Sequence, residues 1–189
     1  MSLNIKIGEY SMRPIKEDDL REILEWRNSE RVHSMMLTNH KISWCEHKNW
    51  YENVVSKNEV PLHFIFEYRL KRVGYIGYTE VDFVNRRCSP GAYMGNINDD
   101  VPVDAGLVLA YMSIVYPLEY LNFHKVSTIV LESNKRVYKM DKFIGYQDEG
   151  FLKEHFLKDN AFISAYMLGM LKSTWNKKKS ELTNIIGGI

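Results

Sequence analysis

Two pairs of β-type runs, one in mid-chain and one near the carboxyl end, constrain this chain more than any other feature. Residues 62–68 are rich in aromatic and branched side chains. After Arg69-Leu70-Lys71-Arg72 a second run, 73–84, carries β-formers to an Asn85-Arg86-Arg87 turn. Residues 151–157 and 161–170 repeat the arrangement across Lys158-Asp159-Asn160. Each pair reads as an antiparallel hairpin, with further strands expected at 11–15, 92–97 and 126–131. Between them lie helical patterns. Lys16-Glu17-Asp18-Asp19 puts acids in a first turn ahead of Leu20, Ile23, Leu24 and Trp26, which follow the helical period. Ser43-Trp44-Cys45-Glu46 fits a capping box, in which the serine hydroxyl takes an orphan N–H and the glutamate reaches back, starting a helix to about residue 55. Residues 103–121 form a mostly apolar helix that Pro117 should kink. Residues 134–144 form another, ended by Gly145. The order is βααβββαβαββ, an α/β (α+β) arrangement.

The 189 residues make one domain, 1–171, followed by a tail, 172–189, whose Lys177-Lys178-Lys179 reads as a solvated, frayed end. Lys+Arg (25) and Asp+Glu (24) leave a net charge of +1, which removes the electrostatic case for nucleic acid or an anionic membrane surface. No apolar run reaches the ~18 residues of a membrane span. Cys45 and Cys88 are too few for a disulfide framework, and no secretory n- and h-region precedes residue 15, so the expected compartment is the cytoplasm. His33, His40 and His47 share no common face, and the spacings of a zinc site are missing.

Two stretches carry a family resemblance. Residues 126–132, then Ser133-Asn134, Phe143-Ile144-Gly145-Tyr146 and Glu149-Gly150, are similar to the strand, Asn-bearing helix and Gly-aromatic ending of the RimJ/RimL-like branch of the GNAT acetyltransferases. Met12-Arg13-Pro14-Ile15, Glu25-Trp26-Arg27-Asn28, Ile42-Ser43, Glu46-His47 and Trp50 resemble more specifically the acetyltransferases of pseudaminic acid synthesis, which acetylate the 4-amine of a UDP-linked aminosugar. Together the resemblance covers about residues 10–170. It implies a mixed, mostly antiparallel sheet, splayed in the middle to admit acetyl-CoA as cosubstrate, whose pantetheine adds like a strand beside Tyr93, Met94 and Ile97. The pyrophosphate is then expected at the next helix start, against Asp104, Ala105, Gly106 and Leu107. In this loop the family's Arg/Gln-x-x-Gly-x-Gly/Ala has become Val101, Asp104 and Gly106, with Asp99 and Asp100 adding negative charge. Asp104 also fits a helix N-cap.

Direct attack of an amine on a thioester needs a proton acceptor and an acid for the departing thiolate. The resemblance puts a tyrosine seven residues after Asn134, where this chain has Asp141; Tyr138, one turn earlier, is the candidate acid. Asn134 is a candidate cofactor ligand, or its helix's own cap. Side-chain alternation groups Tyr78, Glu80 and Asp82 on one strand face, making Glu80 the candidate base and Tyr78 a neighbour of the substrate. Acceptor binding is expected from Trp26, Arg27, Asn28, the loop of residues 35–40, His47 and Trp50, with Arg27 pairing to a nucleotide diphosphate and an aromatic stacking on uracil; Trp26 and Trp50 also fit their helices' apolar stripes. The partners implied are acetyl-CoA and a small-molecule amine such as a sugar nucleotide, and a homodimer is compatible with the sequence. The competing readings are a RimJ/RimL-like acetyltransferase of a protein N-terminus or another amine, and a non-catalytic module that has lost its phosphate loop.

Overall fold

The computed structural model describes residues 3–95 and 100–187. In chain order the elements are β1 (Ile5–Ile7), β2 (Tyr10–Pro14), α1 (Leu20–Asn28), α2 (Glu30–His33), α3 (Trp44–Trp50), β3 (His63–Tyr68), β4 (Lys71–Asp82), β5 (Arg87–Met94), α4 (Ala105–Val115), β6 (Lys125–Leu131), α5 (Lys135–Ile144), β7 (Gln147–Lys158), β8 (Ala161–Leu171) and α6 (Lys172–Gly187). A 3₁₀ turn, Glu17–Asp19, leads into α1. Wide π turns follow α3 and α4, the second holding Pro117, whose missing N–H explains the change of winding there.

The strands follow the hydrogen-bonded order β1-β2-β3-β4-β5-β6-β8-β7. Both expected hairpins form, on two-residue turns with left-handed backbone: Arg69 and Leu70 (φ 47° and 64°) join β3 to β4, and Asp159 and Asn160 (φ 49° and 62°) join β7 to β8. Such turns match the twist of the strands they connect. Whereas β6 pairs with β8 along its whole length, from Lys125↔Leu171 to Leu131↔Ala165, its parallel ladder with β5 covers only Arg87↔Lys125 and Cys88↔Val126 among the described residues.

Contacts divide the chain into two compact units, Met1–Gly77 with Ala92–Leu109 and Tyr78–Gly91 with Ala110–Ile189. In the first, Ile15, Ile23, Trp26 and Ile65 form a buried cluster onto which Trp50, Tyr51, Val55, Tyr75 and Tyr93 pack. Gly95 is obligatory there, since a Cβ at that position would lie 2.0 Å from the Trp26 ring. An ionic clamp holds the first helix to its strand. Arg13 forks onto Asp19 (Nη1–Oδ2 2.7 Å, Nη2–Oδ1 2.9 Å) and reaches Glu67 through Nε at 2.9 Å, while Arg72 Nε meets Asp19 at 3.0 Å. Burial disfavours the Asp19 carboxylate, but the two arginines and the Lys16 N–H outweigh it, holding its pKa below the usual value.

In the second unit the core gathers Val126, Val130, Ile144, Tyr146, Leu168 and Met170. Its largest fully buried side chain is Trp175, on α6. The segment expected to fray is therefore a docked helix: Trp175, Leu182 and Ile186 are buried, and Lys179 meets Glu119 at 3.2 Å. Other departures are smaller. β1 was not foreseen, β5 starts at Arg87 and not at 92, β7 starts at Gln147, and the second half of the expected 103–121 helix is the π turn. Ser43 does accept the Glu46 N–H, at 3.2 Å, but the Glu46 carboxylate turns to His40 at 3.1 Å, so only half of the capping box is made.

Candidate functional site

In the first unit, α1 and the strand ends it packs on assemble a polar and aromatic cluster. His63 Nδ1 lies 2.7 Å from the Tyr75 hydroxyl, and Tyr75 stacks on Tyr93 with centroids 5.1 Å apart. Gly77 leaves room for that hydroxyl, since a Cβ there would fall 2.5 Å from it. Trp50 meets His63 edge-on at 5.0 Å and stacks on His47 at 5.1 Å. Burial pushes the His63 imidazole down to about 4, so it is neutral at physiological pH and serves as a hydrogen-bond partner.

Arg27 is the odd member of this cluster. Its Nη2 donates to the Thr38 hydroxyl at 3.0 Å, while its Nη1 is buried with no partner among the described residues. Among the described residues no carboxylate pairs with the guanidinium; desolvation lowers its pKa, against charge interactions with Tyr93 and Tyr75. A buried guanidinium nitrogen without a partner carries a desolvation cost that an anionic ligand would offset. Asn28 is not available to a ligand in the same way: its amide donates to Ile42 O and accepts from Ile42 N, both at 2.8 Å, pinning the loop that follows α2. Trp26 takes its core role, and His47 is buried with Nε2 unpartnered, its pKa lowered by desolvation.

The head of α4 belongs to the same unit. Ala105 N–H bonds to Pro102 O (3.1 Å), and Leu107 and Val108 both donate to Asp104 O (2.8 and 3.2 Å). Gly106 N–H has no acceptor among the described residues, and a Cβ at 106 would meet nothing within 4 Å. This leaves one donor and clear space for a phosphate oxygen at a helix start, beside the Asp104 carboxylate, whose Oδ1 is buried without a partner. At the end of β5, Arg31 Nη2 occupies the carbonyls of Met94 (2.7 Å) and Gly95 (2.8 Å), so Met94 O is already bonded within the chain. Ile97 lies outside the described residues.

In the second unit, the end of the β5–β6 ladder after Cys88 leaves residues 89–91 and the matching stretch of β6 without pairing to each other. Asn134 caps α5 by accepting the Val137 N–H at 3.3 Å. Tyr138, on that helix, donates to Asp148 Oδ1 at 3.0 Å and packs on Tyr166, and this hydrogen bond raises its pKa. Two sequence expectations need correction. Tyr78 is a core residue, 3% exposed, with its hydroxyl donating to Ser113 O at 2.9 Å. Glu80 does not share its face: a left-handed backbone at Glu80 (φ 50°) breaks the alternation and leaves the side chain exposed.

Asp141 is 8% exposed, and burial raises its carboxyl to about 7. The sign follows directly. A folded-state pKa above the unfolded one means that the native state binds the extra proton between about pH 4 and 7, so Asp141 lowers stability as pH rises through that window. Asp141→Asn should therefore leave stability at pH 4 little changed and raise it at pH 8, by as much as about 4 kcal/mol. Urea midpoints at the two pH values check this, and equal midpoints at pH 8 would contradict it.

Among the described residues, no helix is long and apolar enough to cross a membrane and no His/Cys/Asp/Glu group could hold a metal. No family model and no curated protein matches the sequence. Solved structures do. The spermidine N-acetyltransferase from Vibrio cholerae, in complex with CoA and spermine, matches with a TM-score of 0.81 at 20% identity, covering 89% of this chain and 98% of that one. A GCN5-related N-acetyltransferase from Brucella melitensis matches with a TM-score of 0.77 at 16% identity, over 98% and 86% of the two chains. A GNAT-family acetyltransferase from Bacillus anthracis gives 0.73 at 16%, over 90% and 99%. The chain thus has the fold of the GNAT N-acetyltransferases.

Proposed function

We propose that the protein transfers the acetyl group of acetyl-CoA to the primary amine of a small molecule that also carries a negative charge, the 4-amine of a UDP-linked aminosugar being the form that fits. The observation that carries the acetyl-CoA reading is the arrested β5–β6 ladder in a sheet of this fold, with its unpaired backbone groups available to an extended chain such as pantetheine. Within the first unit, Gly106 N–H and the open space beside it suit a phosphate, and a CoA-bound neighbour has the same fold. In the reaction the amine nitrogen bonds to the thioester carbonyl carbon, the C–S bond breaks, the amine gives up a proton and the thiolate gains one. Tyr138 is the proposed donor to sulfur, which requires its O–H to turn from Asp148; Glu80, exposed on β4, is the proposed acceptor through water.

For the acceptor, Arg27 favours one of two chemistries. A polyamine, the kind of ligand held by the Vibrio cholerae neighbour, carries several positive charges and would be repelled by an uncompensated guanidinium. A sugar nucleotide brings a diphosphate to pair with Nη1, and the Tyr75–Tyr93 stack supplies aromatic surface for a base or sugar. Calorimetric titration with acetyl-CoA tests the first half of the reading. Binding in the micromolar range, about −8 kcal/mol, is expected. Undetectable binding would overturn it and favour a non-catalytic module in which Val101 and Asp104 have abolished the phosphate site.

A further inference from the structure

We propose that Thr38 is a positioning residue for the acceptor: its hydroxyl holds Arg27 by Nη2 so that Nη1 faces the acceptor's anionic group, and anion binding in turn fixes the loop that carries Thr38. The inference rests on the anionic-acceptor reading and narrows the 35–40 loop to one residue with a stated role.

The geometry is specific. The loop between α2 and α3 is tied at both ends. His33 Nε2 lies 3.2 Å from His40 O, and Asn28 grips both backbone groups of Ile42 at 2.8 Å. Between these ties, Met35 and Leu37 are 43% and 44% exposed, so little apolar packing holds the middle of the loop down. Thr38 Oγ1, accepting from Arg27 Nη2 at 3.0 Å, bonds that middle to α1. The same guanidinium therefore anchors the loop on one nitrogen and offers the other, buried and without a partner among the described residues, to a ligand. A planar fork with one prong held loses less freedom when the second pairs with a phosphate, so the hydroxyl contributes to acceptor affinity without touching the acceptor. Coupling of this kind is reciprocal: an anion that orders Arg27 also strengthens its hold on Thr38.

Thr38→Val keeps the shape of the side chain and removes the hydroxyl, and Thr38→Ser keeps the hydroxyl. Thr38→Val should raise the KM for a UDP-linked aminosugar about tenfold, the size of one hydrogen bond to a charged group, with kcat and the KM for acetyl-CoA unchanged. UDP, used as a competitive probe, should lose affinity by the same factor, and Thr38→Ser should restore both values. In hydrogen exchange, UDP should slow residues 35–41 of the wild type and leave those of Thr38→Val unprotected. Wild-type UDP binding that Thr38→Val leaves intact would overturn the role of Thr38 alone. A wild type that does not bind UDP and acetylates only polyamines would overturn the anionic-acceptor reading and this inference with it.

Discussion

Arg27→Ala should raise the KM for a UDP-linked aminosugar by about 10- to 100-fold, the cost of removing one charge-assisted pair, while kcat and the KM for acetyl-CoA stay within about twofold. The split matters because Arg27 is proposed to grip the acceptor's anionic group and not its reacting amine, and uniform binding of that kind lowers KM without altering the chemical step. Stability should move in the opposite sense to what a buried arginine usually predicts. Among the described residues Nη1 has no partner and Nη2 bonds to a neutral hydroxyl, so removing the charge removes a desolvation penalty. Arg27→Met, which keeps the stem, should unfold at a temperature no lower than the wild type. A variant with unchanged KM, or one that loses both stability and activity together, would contradict a ligand-facing role.

The largest effect on stability is expected at Asp19. This carboxylate is 1% exposed and holds Arg13 through two hydrogen bonds and Arg72 through a third contact. Asp19→Ala leaves those guanidinium groups in a partly buried setting with one acceptor fewer, and breaking a buried pair in this way costs about 3–5 kcal/mol. Glu22→Gln is the internal comparison. Its partner is also Arg72, at 3.2 Å, but the pair is one-third exposed on both sides and should contribute less than about 1 kcal/mol. Urea unfolding of the two variants separates a buried clamp from a surface ion pair. Similar midpoints for both would mean that the Arg13–Asp19–Arg72 contacts contribute little beyond solvated charge.

Elements whose signal is local were legible in the sequence. The turns at 69–70 and 159–160, the Ser43 cap, the Gly145 stop and the break at Pro117 all depend on a few adjacent residues, and each stands where the pattern puts it. The docked C-terminal helix was not legible, because its buried stripe is only Trp175, Leu182 and Ile186 among four lysines and other polar residues, and a charged surround reads as a solvated tail. Strand phase failed at one residue: a left-handed backbone at Glu80 breaks the alternation after Tyr78, so Tyr78 stays on the buried side with Ile76 while Glu80 is exposed. Around the candidate acceptor site, Arg27 was visible as a charged side chain at the end of an amphipathic helix. The 35–40 loop was visible as its neighbour, but the rest of its surroundings was not, since His63, Tyr75 and Arg31 meet their partners only after the chain has folded. Asn28 shows a second role that sequence reading missed, an amide that holds the backbone N–H and C=O of Ile42.

The most direct test is release of free CoA thiol from acetyl-CoA by the purified protein, measured side by side with a UDP-linked 4-aminosugar and with spermidine, and with mass analysis of the products. The account predicts thiol release and a singly acetylated product with the sugar nucleotide, and little turnover of spermidine. Turnover of spermidine with none of the sugar nucleotide would contradict the role given to Arg27, and no thiol release with any amine would contradict the enzyme itself.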